Sequence, residues 1–142
     1  MDGDNDLDIL ATTGSDIVWY ENLDGNGTFS IPFESVILLS TAKYDIHSIY
    51  PADLDSDGDI DVIASWGDAD LVAWFENEDG NGNFGSYNQI EVEGDRPIEM
   101  APNSVISTDV DGDGDNDVIT ATYYRGPNWY ENLDGQGNFG PA

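Results

Sequence analysis

One block of text recurs at a fixed interval, and that constrains the fold more than any other property of the chain. Trp19, Trp74 and Trp129 are spaced 55 residues apart, as are Asn22, Asn77 and Asn132, and Phe29, Phe84 and Phe139. The shared text is Trp-Tyr/Phe-Glu-Asn-x-Asp-Gly-x-Gly-x-Phe, at 19–29, 74–84 and 129–139. A period of this length marks a repeat architecture, in which each unit buries its apolar faces against its neighbours.

Each Trp block is preceded by an acidic loop. Two copies are full: Asp53-Leu-Asp-Ser-Asp-Gly-Asp-Ile-Asp61 and Asp109-Val-Asp-Gly-Asp-Gly-Asp-Asn-Asp117. The first copy, residues 1–8, matches from the second loop position onward and lacks the leading Asp.

The remaining segments read as strands. Ser48-Ile-Tyr and Ser104-Val-Ile-Ser-Thr precede the acidic loops; Ile9–Thr12, Val62–Ser65 and Val118–Thr122 follow them. Ile17–Tyr20, Leu71–Phe75 and Asn128–Tyr130 come next, and Asp-Gly-x-Gly then turns the chain into a strand expected to begin at the Phe. β-branched and aromatic residues dominate these runs, the glycine pairs are hairpin signals, and no segment keeps a 3.6-residue apolar period. The expectation is an all-β fold of four-stranded antiparallel β-propeller blades. The boundaries are a partial first blade over 1–43, a second over 44–98, and a truncated third over 99–142. That is about two and a half blades, against the roughly 4–8 of a closed ring. The chain is accordingly expected to be a fragment, or one part of a homo-oligomer that closes the propeller through open blade edges.

The acidic loops carry the chemistry. Calcium takes about six to eight oxygen ligands at roughly 2.3–2.6 Å. Carboxylates at loop positions 1, 3 and 5 can turn toward one ion, Gly58 and Gly114 at position 6 allow the sharp turn, and the Asp at position 9 closes the shell. The expected side-chain ligands are Asp53, Asp55, Asp57 and Asp61, and Asp109, Asp111, Asp113 and Asp117. Asp59 and Asp115 are expected to contribute mainly through the backbone. Asp2, Asp4, Asp6 and Asp8 form the incomplete first site, with Asn5 in place of the glycine. An EF-hand loop would end in Glu at position 12 between helices; Ala64 and Thr120 stand there, between β-type runs, so that reading is rejected. Solvated Asp-Gly turns would explain one such motif, but not five Asp in nine residues twice over. Magnesium, which keeps its waters and a strict octahedron, fits less well than calcium.

Charge agrees. Asp and Glu number 30 against 3 Lys and Arg, for a net charge of −27. No basic surface exists for nucleic acid or anionic lipid, and a fold with this self-repulsion needs counter-charge. There is no cysteine, hence no disulfide or thiolate metal site. No apolar run reaches the roughly 18 residues of a membrane span, so no membrane insertion is expected. Met1 is followed at once by Asp2-Gly3-Asp4, without the regions of a secretory signal; an export signal would lie upstream.

The acidic loops with the Val-Ile that follows them, and the Trp-Tyr-Glu-Asn-x-Asp-Gly-x-Gly-x-Phe-Gly segments, resemble the FG-GAP or VCBS repeat family. Its repeats build propellers related to the head of integrin α chains. The resemblance implies that the acidic loop joins the first two strands of a blade and holds calcium, which maps onto 53–61, 109–117 and, with a gap, 2–8. It also implies a secreted or cell-surface protein acting in adhesion or as a carbohydrate-binding or enzyme-attached module.

Other residues are weighed against packing. Trp19, Trp74 and Trp129 are expected in the core rather than as sugar platforms. Trp66 breaks the repeat, which makes it the better surface-contact candidate, with packing still the leading expectation. Glu21, Glu76 and Glu131 repeat, as do Asp24, Asp79 and Asp134 in the hairpin turns. A glycosidase carboxylate pair is not expected from residues present in every unit. His47, the only histidine, has no nucleophile partner. Lys43, Arg96 and Arg125 are expected to offset local acidity. The expected function is a calcium-binding scaffold, not an enzyme, for protein or glycan contacts outside the cell. The alternative is a calcium-dependent polysaccharide lyase or hydrolase.

Overall fold

The computed structural model describes residues 1–30, 36–40, 44–90 and 100–142. Lys43, Arg96 and the expected boundary at 98/99 lie outside them. Among the described residues ten strands run in chain order: β1 (Ile9–Thr13), β2 (Asp16–Tyr20), β3 (Val36–Ser40), β4 (Ser48–Ala52), β5 (Asp61–Trp66), β6 (Leu71–Asn77), β7 (Phe84–Ile90), β8 (Pro102–Thr108), β9 (Asp117–Thr122) and β10 (Gly126–Tyr130). One 3-10 turn, Gly67–Ala69, joins β5 to β6. All pairings are antiparallel and fall into three sheets: β1-β2-β3, β4-β5-β6-β7 and β8-β9-β10. We call these blades 1, 2 and 3.

The repeat is visible in the register. Leu10 pairs with Trp19, Ile63 with Trp74 and Ile119 with Trp129. The Asp-Gly-x-Gly hairpin pairs Asn with Phe in every copy: Asn77 with Phe84 within β6–β7, and Asn22 with Phe29 and Asn132 with Phe139 as single bridges. At Phe84 a strand begins at the Phe, as expected, whereas Phe29 and Phe139 pair as single bridges.

Blade 2 lies between the other two, and its central strands β5 and β6 are buried on both faces. β5 is buried along its whole length, so it reads as a continuous apolar run rather than an alternating one. Successive side chains still point to opposite faces. Ile63, Val72 and Trp74 pack toward blade 3 with Leu54, Val105, Val118 and Tyr130. Val62, Ala64, Ala73 and Phe75 pack toward blade 1 with Ile17. Among the described residues the two cores are thus the two joints between blades.

Each joint is keyed by a tryptophan of one blade against a glycine of the next. A β-carbon on Gly82 would lie 2.2 Å from the Trp19 ring, and one on Gly137 would lie 2.3 Å from the Trp74 ring. Trp19 and Trp74 are 5% and 4% exposed, as expected of core residues, whereas Trp129, expected in the core with them, is 41% exposed. The exception, Trp66, is buried against Phe75, ring centroids 6.4 Å apart, which settles it as packing. Gly82→Ala is expected to cost about 1–3 kcal/mol from overpacking, plus about 1–2 kcal/mol from the left-handed backbone. Gly27 also has a positive φ but nothing within 4 Å of a β-carbon, so Gly27→Ala carries only the backbone cost. Urea unfolding of the two variants measures the difference.

Candidate metal centre

Both full acidic loops connect a first strand to a second: 53–61 lies between β4 and β5, and 109–117 between β8 and β9. Each winds through two left-handed residues, Ser56 (φ 62°) and Gly58 (96°) in one, Gly112 (86°) and Gly114 (103°) in the other. The first loop repeats the turn at Gly3 (75°) and Asn5 (72°), since Asn tolerates this region better than most residues. The sequence marked only position 6 for the turn. Position 4 needs it equally, and the signal was the glycine that two of the three copies carry there.

The carboxylates at positions 1, 3 and 9 converge. One oxygen each of Asp53, Asp55 and Asp61 lies within 4.8 Å of the others, and Asp109, Asp111 and Asp117 form the same group. Two ligands on opposite sides of a calcium ion are about 4.6–5.2 Å apart, twice the ligand distance, so the spacing suits one ion. Asp53 Oδ1 is buried with no hydrogen-bond partner, an arrangement that costs free energy unless a cation compensates it.

Asp57 and Asp113 at position 5 fall outside the three-carboxylate groups. Their Oδ1 atoms accept the backbone N–H groups of Asp59 (2.8 Å) and Asp115 (3.0 Å). Asp59 and Asp115 themselves lie against the hairpin of their own blade. A β-carbon on Gly80 would meet Asp59 at 2.3 Å, and one on Gly135 would meet Asp115 at 2.5 Å.

Position 9 does two jobs. Asp61 is buried, and its oxygens accept N–H groups from Leu54 and Asn77, both at 2.9 Å. Asp117 does the same with Val110 (3.0 Å) and Asn132 (2.9 Å). The asparagines then extend the network between blades: Asn132 Nδ2 donates to Leu54 O at 2.8 Å, and Asn77 Nδ2 to Met1 O at 3.0 Å. Sequence reasoning registered these asparagines as repeating but gave them no role. Their 55-residue recurrence was the signal.

In the first loop, the Met1 ammonium takes the place of the Leu54 and Val110 N–H groups and bonds Asp8, whose other oxygen accepts Asn22 N–H at 2.9 Å. Among the described residues, Asp2, Asp4, Asp6 and Asp8 form no three-carboxylate group. Burial raises the Asp8 carboxyl, but the bonds from the ammonium and Asn22 outweigh it and hold the group below its ordinary range.

Charge crowding marks the second loop. Burial pushes the Asp61 carboxyl up to about 7, against the two N–H bonds that lower it, with Asp55 and Asp57 adding to the rise. Burial, then Asp57, also raises Asp55, and Glu76 adds to it. Burial and the carboxylates of the first loop raise Glu21 likewise. Glu21 and Glu76 therefore lie within electrostatic reach of the loops, a role the sequence did not mark.

The Asp61 shift gives a pH dependence. In the metal-free protein Asp61 holds its proton up to about pH 7, and in the unfolded chain only to its ordinary 3.8. Between these values the folded state binds the extra proton, so stability falls as pH rises. Asp61→Asn is expected to remove that component, read as a flatter plot of urea midpoint against pH.

Residues 1–64 match the family model for the FG-GAP-like repeat. No curated protein matches the chain.

Proposed function

We propose that this FG-GAP-like repeat chain is a calcium-binding scaffold, with one ion in each of the loops 53–61 and 109–117, presenting its blades to protein or glycan ligands outside the cell. The observation that carries the reading is the convergence of three carboxylates within 4.8 Å in both loops. All the ligands offered are hard oxygens, which favours calcium or magnesium over softer metals. Calcium's flexible shell of about six to eight oxygens suits a wound acidic loop better than magnesium's strict octahedron, which favours calcium. When bound, calcium supplies positive charge among crowded carboxylates. The chain's own residues do the rest: Asp61 and Asp117 tie the ion's loop to the Asn hairpin of the same blade, and Asn132 ties that hairpin to the preceding blade.

FG-GAP-like repeats occur in extracellular proteins and serve mostly as structural or binding modules, and no helix among the described residues is long and apolar enough to cross a membrane. A glycan partner is favoured by one surface feature, a cleft of about 420 Å³ where blade 2 meets blade 3. Asn88, Gln89, Gln136 and Asn138 line it beside Trp74 and Glu76, and carboxamides donate and accept hydrogen bonds as sugar hydroxyls require.

Isothermal titration of the metal-stripped chain tests the calcium sites. Two ions per chain are expected, falling to one in Asp55→Asn and one in Asp111→Asn. Stoichiometry unchanged in both variants sinks the assignment.

A further inference from the structure

We infer that Asn26 is a site of N-linked glycosylation, carried on the hairpin tip of blade 1 where a glycan stays clear of the joints between blades. The inference rests on the part of the proposed function that places the chain outside the cell, and it does not depend on calcium.

Asn26-Gly27-Thr28 is the one Asn-x-Ser/Thr sequence in the chain. This spacing, with no proline between, is the acceptor motif for N-linked glycans on surface loops of exported proteins. The repeat sets it apart. The same hairpin reads Asn81-Gly82-Asn83 in blade 2 and Gln136-Gly137-Asn138 in blade 3, so only blade 1 places a hydroxyl two residues after the amide.

Asn26 and Thr28 are both exposed. Blade 2 shows what a packed neighbour does to this position. Gly82 is buried and pressed against the Trp19 ring, yet Asn81, one residue earlier, stays exposed. Gln136 stays exposed in the same way beside Gly137, which meets Trp74. The two asparagine hairpins share their hydrogen bonds. Asn26 N and Asn81 N donate to Oδ1 of Asp24 and Asp79, at 2.9 and 3.0 Å. Their Nδ2 atoms donate to the backbone oxygens of the same aspartates, at 2.7 and 2.6 Å. Gly27 N and Gly82 N each donate to the Oδ1 of Asn22 and Asn77, at 3.0 Å. Asn26 therefore holds the conformation of a residue that points out of a closed joint.

In the folded hairpin Asp24 occupies both groups that the transferase must read. Asn26 Nδ2 donates to Asp24 O, and Thr28 Oγ1 donates to Asp24 Oδ2 at 2.9 Å. Transfer thus belongs to the unfolded chain, before the hairpin closes. The amide nitrogen forms a bond to the anomeric carbon of a lipid-pyrophosphate-linked oligosaccharide. The bond from that carbon to the pyrophosphate oxygen breaks, the lipid pyrophosphate leaves, and one amide proton passes to a base of the transferase. One amide hydrogen remains, enough to restore the bond to Asp24 O on folding.

Mass spectrometry of the natural protein, recovered by antibody from the medium and from lysed source cells, tests the inference. Peptide-N-glycosidase in heavy-oxygen water leaves a labelled aspartate where a glycan stood; spontaneous loss of the amide at the Asn-Gly pair before the digest leaves no label. Labelled aspartate at position 26 is expected in protein from the medium. Exported protein with an unmodified Asn26 overturns the inference and leaves the extracellular reading standing. Protein found only inside the cell overturns both.

Translation of the 142-residue chain behind an export signal, into endoplasmic-reticulum microsomes, tests the residues without requiring that variants fold. The wild type and Thr28→Ser are expected to gain one step in gel mobility, Thr28→Val none, and Asn83→Thr, which completes the motif at Asn81, two. A wild type without a step, or a Thr28→Val variant with one, overturns the assignment. The glycosylated chain is expected to keep the urea midpoint of the same chain made without the glycan. A lower midpoint overturns the placement of the glycan clear of the joints.

Discussion

Asp61→Ala is expected to cost about 2–6 kcal/mol of folding stability, even with no metal present. The carboxylate is buried and satisfies two backbone N–H groups, those of Leu54 and Asn77. Alanine leaves both donors unpaired, at about 1–3 kcal/mol each. Removing a negative charge beside Asp55 and Asp57 relieves some repulsion, so the cost falls toward the lower end above the pH where Asp61 ionises. Asp57→Ala is the comparison. Its carboxylate accepts one exposed N–H of its own loop, so its loss is expected to stay within about 1 kcal/mol without metal. Urea unfolding followed by circular dichroism reads both. Equal costs would mean that position 9 is not the structural anchor of the loop.

Stripping calcium is expected to lower the melting temperature by roughly 10 °C. With free calcium ten-fold above the dissociation constant, each ion adds about 1.4 kcal/mol, or about 3 kcal/mol for two. At this chain length 1 kcal/mol moves the midpoint by about 3–4 °C, and total stabilities are only about 5–15 kcal/mol. Magnesium at the same concentration is expected to restore little of the loss. Monovalent salt is expected to restore some of it, by screening the carboxylates. A melting curve that EDTA leaves in place would remove the metal from the stability of this fold.

Much of this was legible because the molecule repeats. The 55-residue spacing of Trp19, Trp74 and Trp129 led to three sheets with Trp paired to Leu10, Ile63 and Ile119. A repeat reports what each unit shares, but not how each copy is packed: Trp129 reads as core like its equivalents, yet it is 41% exposed. Trp66 has no counterpart in the repeat, and it is buried because the 3-10 turn at Gly67–Ala69 follows it directly and Phe75 covers it.

In the loops, alternation of Asp singled out positions 1, 3, 5 and 9, but alternation describes an extended chain. The left-handed residues at positions 4 and 6 bend it. Positions 1, 3 and 9 then meet, while position 5 bonds the backbone ahead of it and position 7 rests on the hairpin glycine. The asparagine links between blades depend on contacts across 76 and 78 residues. Local pattern carries no information on such pairings beyond the recurrence of the residue.

Clustered carboxylates gathered around a shared hard cation are the premise of the whole account, and anomalous scattering from a crystal grown in calcium examines it most directly. Two peaks are expected, each within about 2.3–2.6 Å of carboxylate oxygens, one among Asp53, Asp55 and Asp61 and the other among Asp109, Asp111 and Asp117. Well-ordered loops with no anomalous signal, in crystals saturated with the ion, would contradict it.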